Sequence, residues 1–143
     1  MKRLAISMMV FCCVMALSVA AWCGDNGDGT VTVNGLVWMK DAGCMGYTNW
    51  NTAMGRVKTI ASGQCDLTDK SKPGDWRLPT VDELRAIYAS KSQFKDVVYS
   101  FYWSSSRYEG AANRAWVVGM NDGSMHSGNK DSHASYVWPV RKK

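Results

Sequence analysis

The fold of this chain is decided by the stretch Gly74-Asp75-Trp76-Arg77-Leu78-Pro79-Thr80-Val81-Asp82-Glu83-Leu84. Its second half has the spacing of a capping box, in which Thr80 caps a helix and Glu83, three residues later, reaches back to the cap. Apolar residues spaced along one face follow the cap. The stretch therefore predicts a helix over residues 81–89.

The first half of the stretch predicts a short buried strand, because Trp76 and Leu78 are apolar and alternate with Arg77. An arginine between two buried hydrophobic residues usually pairs inside the protein. We expect Arg77 to bind a carboxylate, such as Glu83 or Asp82, or backbone carbonyl groups. Contact between Arg77 and a ligand is the alternative.

Upstream of this stretch the chain predicts a hairpin, a helix and a loop. Residues 25–40 contain two β-branched or apolar runs separated by Asn34-Gly35, which is a strong hairpin-turn signal. Residues 50–60 carry apolar side chains at helical spacing, interrupted only by Gly55. Residues 62–75 combine glycine, proline, serine and charged residues, which is typical of a long loop.

Downstream, the period changes from that of a helix to that of strands. We expect strands at 102–106, 114–120, 124–127 and 135–141, with a hairpin turn at 121–123. Pro139 should push the end of the last strand towards an edge, because proline has no N–H to donate. The order of elements predicts one α+β domain.

Four segments in this order resemble the Lcl C-terminal-domain-like family, which is named for the end domain of bacterial collagen-like adhesins. They are the stretch 74–84, residues 25–32 with Trp38, residues 102–106 and residues 136–141. The resemblance implies a C-type-lectin-like or formylglycine-generating-enzyme-like fold, with a twisted antiparallel sheet and two helices.

Six tryptophans are spread along the chain after residue 22, and we expect them to pack in the core because each indole can bury a large area. They are Trp38, Trp50, Trp76, Trp103, Trp116 and Trp138.

The N-terminus has the three parts of a secretory signal peptide. Residues 1–3 are basic at two positions, residues 4–19 form an uncharged apolar run, and residues 18–21 are mostly small. The apolar run falls short of the roughly 20 residues that a membrane-spanning helix needs. We expect residues 1–21 to be removed and residues 22–143 to form one exported domain without a stable membrane span, in the periplasm or at the cell surface.

Export determines how we interpret the cysteines Cys23, Cys44 and Cys65. Outside the cytosol two of them should oxidise, and Cys44 and Cys65 flank the first predicted helix. We expect a Cys44–Cys65 disulfide, with Cys23 free or paired between chains. A zinc site is the competing interpretation, but no Cys-x-x-Cys pair or nearby histidine supports it.

The charge of the chain is mildly basic. It has 17 basic and 12 acidic residues, a formal net charge of +5. Removal of Lys2 and Arg3 with the signal leaves 15 basic residues and a net charge of +3. These residues are scattered, whereas nucleic-acid binding requires a dense basic stripe or a known motif. We therefore expect no nucleic-acid partner, while a weak attraction to acidic glycans or membrane surfaces is allowed.

The lectin-like resemblance implies ligand contact by loops and one sheet face near the C-terminal strands. Here that region comprises residues 105–113 and 121–133, which are rich in side chains that hydrogen-bond to or stack on sugars and proteins. The candidate binding residues are Arg107, Tyr108, Asn113, Arg114, Asn121, His126, Asn129, Lys130 and His133. A solvated loop region without a ligand is the alternative.

These observations favour a non-catalytic binding module for an acidic glycan or a surface protein. The chemistry of formylglycine-generating enzymes depends on cysteines late in the chain, and none follows Cys65. Ser104-Ser105-Ser106 with a histidine lacks the glycine pattern of a nucleophile elbow. We expect no cofactor and no metal, because two histidines without an acidic cluster are too few ligands. A structural or assembly domain of the cell envelope, oligomeric through a sheet edge or an exposed tryptophan face, is the alternative function.

Overall fold

The computed structural model describes residues 24–143, which contain nine strands and two α-helices. In chain order these are β1 (Gly24–Asp25), β2 (Thr30–Val33), β3 (Leu36–Met39), β4 (Tyr47–Thr48), α1 (Trp50–Val57), α2 (Val81–Tyr88), β5 (Phe101–Arg107), β6 (Arg114–Gly119), β7 (Met125–Asn129), β8 (Ser135–Tyr136) and β9 (Val140–Lys142). The predicted signal peptide and Cys23 lie outside the described residues. Within 24–143, no helix has the length and apolar character needed to cross a membrane.

The strands form two sheets, so the domain is α+β as predicted. The first sheet has the order β1-β2-β3-β9, and the second has the order β4-β8-β5-β6-β7. All pairings are antiparallel except that of β5 with β8, which is parallel. The second sheet is therefore mixed rather than purely antiparallel.

The predicted hairpin over residues 25–40 is confirmed, and its turn explains the sequence. Val33 pairs with Leu36, so Asn34 and Gly35 form a two-residue connection. Both turn residues have positive φ, 51° and 77°. This is the backbone that Asn-Gly accommodates and that matches the twist of the flanking strands.

Helix α1 begins at the predicted residue but ends at Val57 rather than near Ile60. Asn49 caps it, since its side chain accepts a hydrogen bond from Thr52 N–H at 2.9 Å. After Val57 the backbone tightens into three-residue turns, with Lys58 N–H donating to Gly55 at 3.2 Å. Such turns commonly finish an α-helix, and Ile60 remains in the core although it is no longer helical.

The capping box at the start of α2 is confirmed. Thr80 Oγ1 accepts from Glu83 N–H at 3.2 Å, and the Glu83 carboxylate accepts from Thr80 N–H at 2.9 Å. Leu84 and Ile87 then point into the core. The strand predicted just before the helix is reduced to one bridge, in which Arg77 pairs with Val140 while Trp76 and Leu78 are buried.

The prediction of one closing strand over 135–141 is wrong, because this segment divides between the two sheets. β8 belongs to the second sheet and β9 to the first. Pro139 has no N–H for a ladder, and its carbonyl instead accepts from Met39 N–H at 3.1 Å. The fully buried Trp138 donates from Nε1 to the Met39 carbonyl at 2.9 Å. The chain is thus held in the core where it changes sheets.

Five of the six predicted core tryptophans are buried, and Trp116 is only partly buried. Trp116 lies on β6, next to the edge strand β7, so its face of the sheet is incompletely covered. The predicted disulfide is present between Cys44 and Cys65. It joins the segment before β4 to the loop after α1.

Candidate functional site

The residues predicted to bind a ligand lie around β5–β7, but on two faces of the second sheet. The pairing of the strands shows on which face each side chain lies, because directly paired residues project to the same side of a sheet. Val117 pairs with both Trp103 and His126, so these three share one face. Arg114 and Trp116 alternate with Val117 along β6 and lie on the opposite face.

The two histidines lie on the same face of the sheet, above aromatic rings. The His126 ring is 5.1 Å from the Phe101 ring, and the His133 ring is 5.6 Å from the Trp103 ring, both edge-on. Phe101 and Trp103 are two residues apart on β5 and therefore project together. Both histidines are exposed. We call the surface formed by His126 and His133 the histidine face.

Two of the other candidates, Asn129 at the end of β7 and Lys130 directly after it, hold the loop that follows β7. Lys130 Nζ donates to the Ala112 carbonyl at 2.7 Å and lies 4.7 Å from the Trp50 ring centroid. Asn129 Oδ1 accepts from Asp131 N–H at 2.9 Å and Ser132 N–H at 3.1 Å. Their polar groups already have intramolecular partners.

The opposite face is also internally bonded. The Tyr108 ring lies 4.9 Å from the Trp116 ring, and Arg114 Nε donates to Ser127 Oγ at 2.9 Å. Arg107, which pairs with Ala115 on the histidine side, and Asn113, in the loop before β6, are exposed, and neither side chain has a hydrogen bond or an ion pair to another residue in 24–143. Asn121 is exposed in the turn between β6 and β7. The nine predicted residues therefore do not form a single site in the structure.

A different set of residues forms what we call the basic cavity. It encloses about 420 Å³ and is lined by Gly74, Asp75, Arg77, Arg141, Lys142 and Lys143. Two backbone hydrogen bonds between Arg77 and Val140, at 2.9 and 3.0 Å, bring the stretch 74–84 beside β9. Four of its six lining residues are basic and one is acidic.

Arg77 is fixed by the capping box of α2, as predicted. Its two terminal nitrogens donate to the two Glu83 oxygens at 2.8 and 2.9 Å, and one also donates to the Leu78 carbonyl at 3.2 Å. Hydrogen bonding to Glu83 raises the pKa of Arg77. Burial opposes ionisation of Glu83, but hydrogen bonds from Arg77 and from Thr80 N–H lower its pKa. The Arg77 side chain is 40% exposed, so part of it faces solvent at the cavity.

Arg141 is fixed by a fully buried carboxylate. Its Nε and one terminal nitrogen donate to Asp69 Oδ2 at 3.1 and 3.0 Å. The guanidinium also lies 5.3 Å from the Trp76 ring centroid. Burial opposes ionisation of Asp69, but hydrogen bonds from Ser71 and Arg141 lower its pKa. This arginine is preorganised, because both its charge and its plane are held.

Lys142 and Lys143 supply the uncompensated charge. Both are exposed, and neither forms an ion pair within the described part of the chain. Asp75 is the acidic residue in the lining, and its carboxylate accepts from Lys72 N–H at 2.8 Å. Counting Glu83 and Asp69, the four basic side chains face three carboxylates. The cavity therefore has an excess of positive side-chain charge.

A family model of the Lcl C-terminal domain matches residues 29–141. The chain belongs to the Lcl C-terminal domain family. A search of curated proteins returned no match. Arg77 and Arg141 lie inside the matched segment, whereas Lys142 and Lys143 follow it. The two fixed arginines thus belong to the family domain, and the two exposed lysines extend it.

Sequence reasoning missed the basic cavity because its parts are 64 positions apart, at Arg77 and Arg141. The run Arg141-Lys142-Lys143 was a usable signal, but only the bridge between Arg77 and Val140 brings it to the stretch 74–84. Within residues 24–143, no group of three or more histidine, cysteine, aspartate and glutamate side chains is arranged to hold a metal.

Proposed function

We propose that this Lcl C-terminal domain is an exported, non-catalytic module that binds an acidic glycan at the basic cavity. The observation that carries the proposal is the convergence of Arg77, Arg141, Lys142 and Lys143 on one concave surface. Sulfate and carboxylate groups on a glycan present the negative charge that such a surface attracts.

The two kinds of cation have different roles in this proposal. Arg77 and Arg141 are held by carboxylates, so little conformational entropy is lost when a ligand meets them. Lys142 and Lys143 are exposed and form no ion pair with another residue of 24–143. They attract the ligand over several ångströms, an effect that salt screens.

The fold supports a binding role. We infer that the two helices and the curled sheets form a C-type-lectin-like or formylglycine-generating-enzyme-like domain, a type of scaffold on which loops carry ligand contacts. The Cys44–Cys65 disulfide is compatible with an oxidising compartment, and we propose the periplasm or the cell surface.

The histidine face, with Arg107 beside it, is the competing ligand surface. Arg107 pairs with Ala115, which pairs with Gly128 on the side of the histidines.

The test measures binding of the purified exported protein to dextran sulfate and to uncharged dextran, at low and physiological salt. We expect dextran sulfate to bind much more tightly than uncharged dextran, and the difference in affinity to shrink as salt rises. Lys142→Glu should weaken binding by about tenfold, because each exposed charge contributes up to roughly 1 kcal/mol and the variant reverses it.

Arg85→Glu is the matched control, because Arg85 is exposed on α2, does not line the cavity and undergoes the same charge change. Arg107→Glu tests the competing face. Loss of binding in Arg107→Glu but not in Lys142→Glu would mean that the ligand binds at the histidine face and not at the basic cavity. Equal losses in all three variants would leave only an effect of net charge and reject the basic cavity. If dextran sulfate fails to bind, the acidic-glycan function is rejected and a protein ligand or an assembly role takes its place.

A further inference from the structure

Two tyrosines, Tyr47 and Tyr99, are the exposed large hydrophobic side chains of residues 24–143, at 66% and 73% exposure. They differ in their surroundings. Tyr47 is paired across strands with Tyr136, and their ring centroids are 5.7 Å apart at a tilt of 45°. Singly exposed apolar residues are ordinary, but Tyr47 is half of an aromatic pair at a concave surface.

The concavity, which we call the tyrosine cavity, is lined by Tyr47, Ser100, Ala134, Ser135 and Tyr136. Its volume is about 230 Å³. Sites for drug-sized ligands enclose about 300–1,000 Å³. The tyrosine cavity is therefore of a size for one ring rather than for a chain of rings.

The lining of the tyrosine cavity has no charged side chain, in contrast to the basic cavity. Lys91 lies 5.5 Å from the ring of Tyr99, the residue before Ser100, but it is already engaged: its Nζ donates to the Met120 carbonyl at 3.0 Å and lies 3.9 Å from the Tyr88 ring centroid. A charged ligand would lose its hydration here without gaining an ionic partner. The chemistry of the cavity fits an uncharged molecule.

The aromatic wall is supported from the core. Tyr136 lies 5.6 Å from the Tyr102 ring, and Tyr102 lies 5.4 Å from the Trp138 ring. Tyr102 is itself fixed, because its hydroxyl accepts from Val98 N–H at 2.9 Å. Tyr136 is therefore positioned before any ligand arrives, which reduces the entropy lost on binding.

From this combination we propose that the tyrosine cavity is a second binding site, which takes a single neutral pyranose ring. The face of an aromatic ring is electronegative, and the C–H groups on one face of a pyranose are weakly electropositive and pack against it. Hydroxyl groups at the rim of the sugar can exchange hydrogen bonds with the tyrosine hydroxyls and the Ser100 hydroxyl of the lining, whereas the Ser135 hydroxyl is buried. The site is independent of the acidic-glycan function, because it shares no residue with the basic cavity.

The test titrates the exported protein with neutral methyl pyranosides of glucose, galactose, mannose, fucose and N-acetylglucosamine, followed by NMR of the protein. We expect at least one of them to bind with a Kd in the millimolar range, typical of a single small ring. Tyr47→Ala should weaken this binding by about tenfold or more, whereas Tyr47→Phe should retain most of it because the ring remains.

Tyr99→Ala is the matched control, because Tyr99 is as exposed as Tyr47 but does not line the cavity. The proposal is overturned if none of the pyranosides shifts protein signals at concentrations up to about 50 mM, far above a millimolar Kd. It is equally overturned if Tyr47→Ala binds them as well as Tyr99→Ala does. Dextran sulfate binding should be unchanged in Tyr47→Ala, so failure here is distinguishable from failure of the proposed acidic-glycan function.

Discussion

The basic cavity and the tyrosine cavity are built from the two ends of the same short segment, on either side of Pro139. β8 contributes Ser135 and Tyr136 to the tyrosine cavity, and β9 contributes Arg141 and Lys142 to the basic cavity. Because Trp138 is anchored in the core where the chain changes sheets, the two ends face different surroundings. One segment thereby supplies charged side chains to the basic cavity and uncharged side chains to the tyrosine cavity.

The two cavities also differ in what holds them. The basic cavity depends on ion pairs, Arg77 with Glu83 and Arg141 with Asp69, which respond to pH and to salt. The tyrosine cavity depends on tilted aromatic rings packed against one another and on β4, a strand of only two residues that follows Cys44 closely. We therefore expect perturbations of charge and of the disulfide to affect the two cavities unequally.

Removal of the disulfide should have the largest effect on stability. Cys44 and Cys65 are separated by 21 positions, and closure of such a loop contributes about 3 kcal/mol in the chain-entropy model. The double variant Cys44→Ser/Cys65→Ser should lose that amount from the free energy of unfolding, measured by urea denaturation. Pyranoside binding should suffer more than dextran sulfate binding, because the disulfide lies three residues before Tyr47.

The control for this prediction is the double serine variant treated with a reductant, which should show no further loss of stability. An unchanged urea midpoint in the double variant would mean that the cross-link does not constrain the unfolded chain. Equal losses of binding at both cavities would contradict the expectation that the disulfide supports the tyrosine cavity more than the basic cavity.

Asp69→Asn should have the next largest effect and should act on the basic cavity. The Asp69 side chain is fully buried and accepts from Ser71 and Arg141. Loss of its charge should lower the free energy of unfolding by about 2 kcal/mol at pH 7, since hydrogen bonds to charged buried groups are among the stronger ones. Pyranoside binding should not change, because Asp69 does not contact the tyrosine cavity.

The effect of Asp69 should depend on pH in a defined direction. Its pKa in the folded protein is below the ordinary value of 3.8, so the unfolded chain takes up the proton first. The stability that the carboxylate contributes is full above about pH 4 and is lost as the pH falls below 3.8. Urea denaturation of the wild type and of Asp69→Asn at pH 7 and pH 3 should therefore show a difference that shrinks at the lower pH. A constant difference would assign the loss to packing instead of charge.

The sequence was informative where a signal is local. The turn at Asn34-Gly35, the capping box at Thr80 and Glu83, and the pairing of Arg77 with Glu83 each involve residues within six positions of one another. The disulfide was inferred from a small choice of cysteines and an oxidising compartment. Each of these can be predicted without knowing which distant parts of the chain pack together.

Tertiary packing decided the features that the sequence did not predict. The break at Trp138-Pro139 depends on Met39, about 100 positions earlier, which pairs with both residues. Without that contact, residues 135–141 have the pattern of one strand. Both cavities follow from this break, so neither could be located from sequence patterns, which instead indicate the polar loops around β6 and β7.

Glu83→Gln should have the smallest effect on stability. It tests the more exposed of the two ion pairs that support the basic cavity. Glutamine can still accept from Thr80 N–H, so the helix cap survives, and only the charge facing Arg77 is lost. This pair is more exposed than Arg141–Asp69, at 40% and 22% against 19% and 0%. The loss of unfolding free energy should accordingly be about 0.5–1 kcal/mol, the range for exposed pairs. Because the folded-state pKa of Glu83 is lowered, this loss should disappear as the pH falls below its ordinary value of 4.5.

Dextran sulfate binding should change in the opposite direction to stability in Glu83→Gln. With its carboxylate partner neutralised, Arg77 offers an uncompensated charge to the cavity, and the affinity should rise by about twofold at low salt. Asp82→Asn, on the same helical turn, is the matched control, because Asp82 is exposed and does not pair with Arg77. An equal gain in Asp82→Asn would assign the effect to net charge alone. A gain confined to Glu83→Gln would place the ligand at Arg77, because only there does the substitution release a positive charge into the cavity.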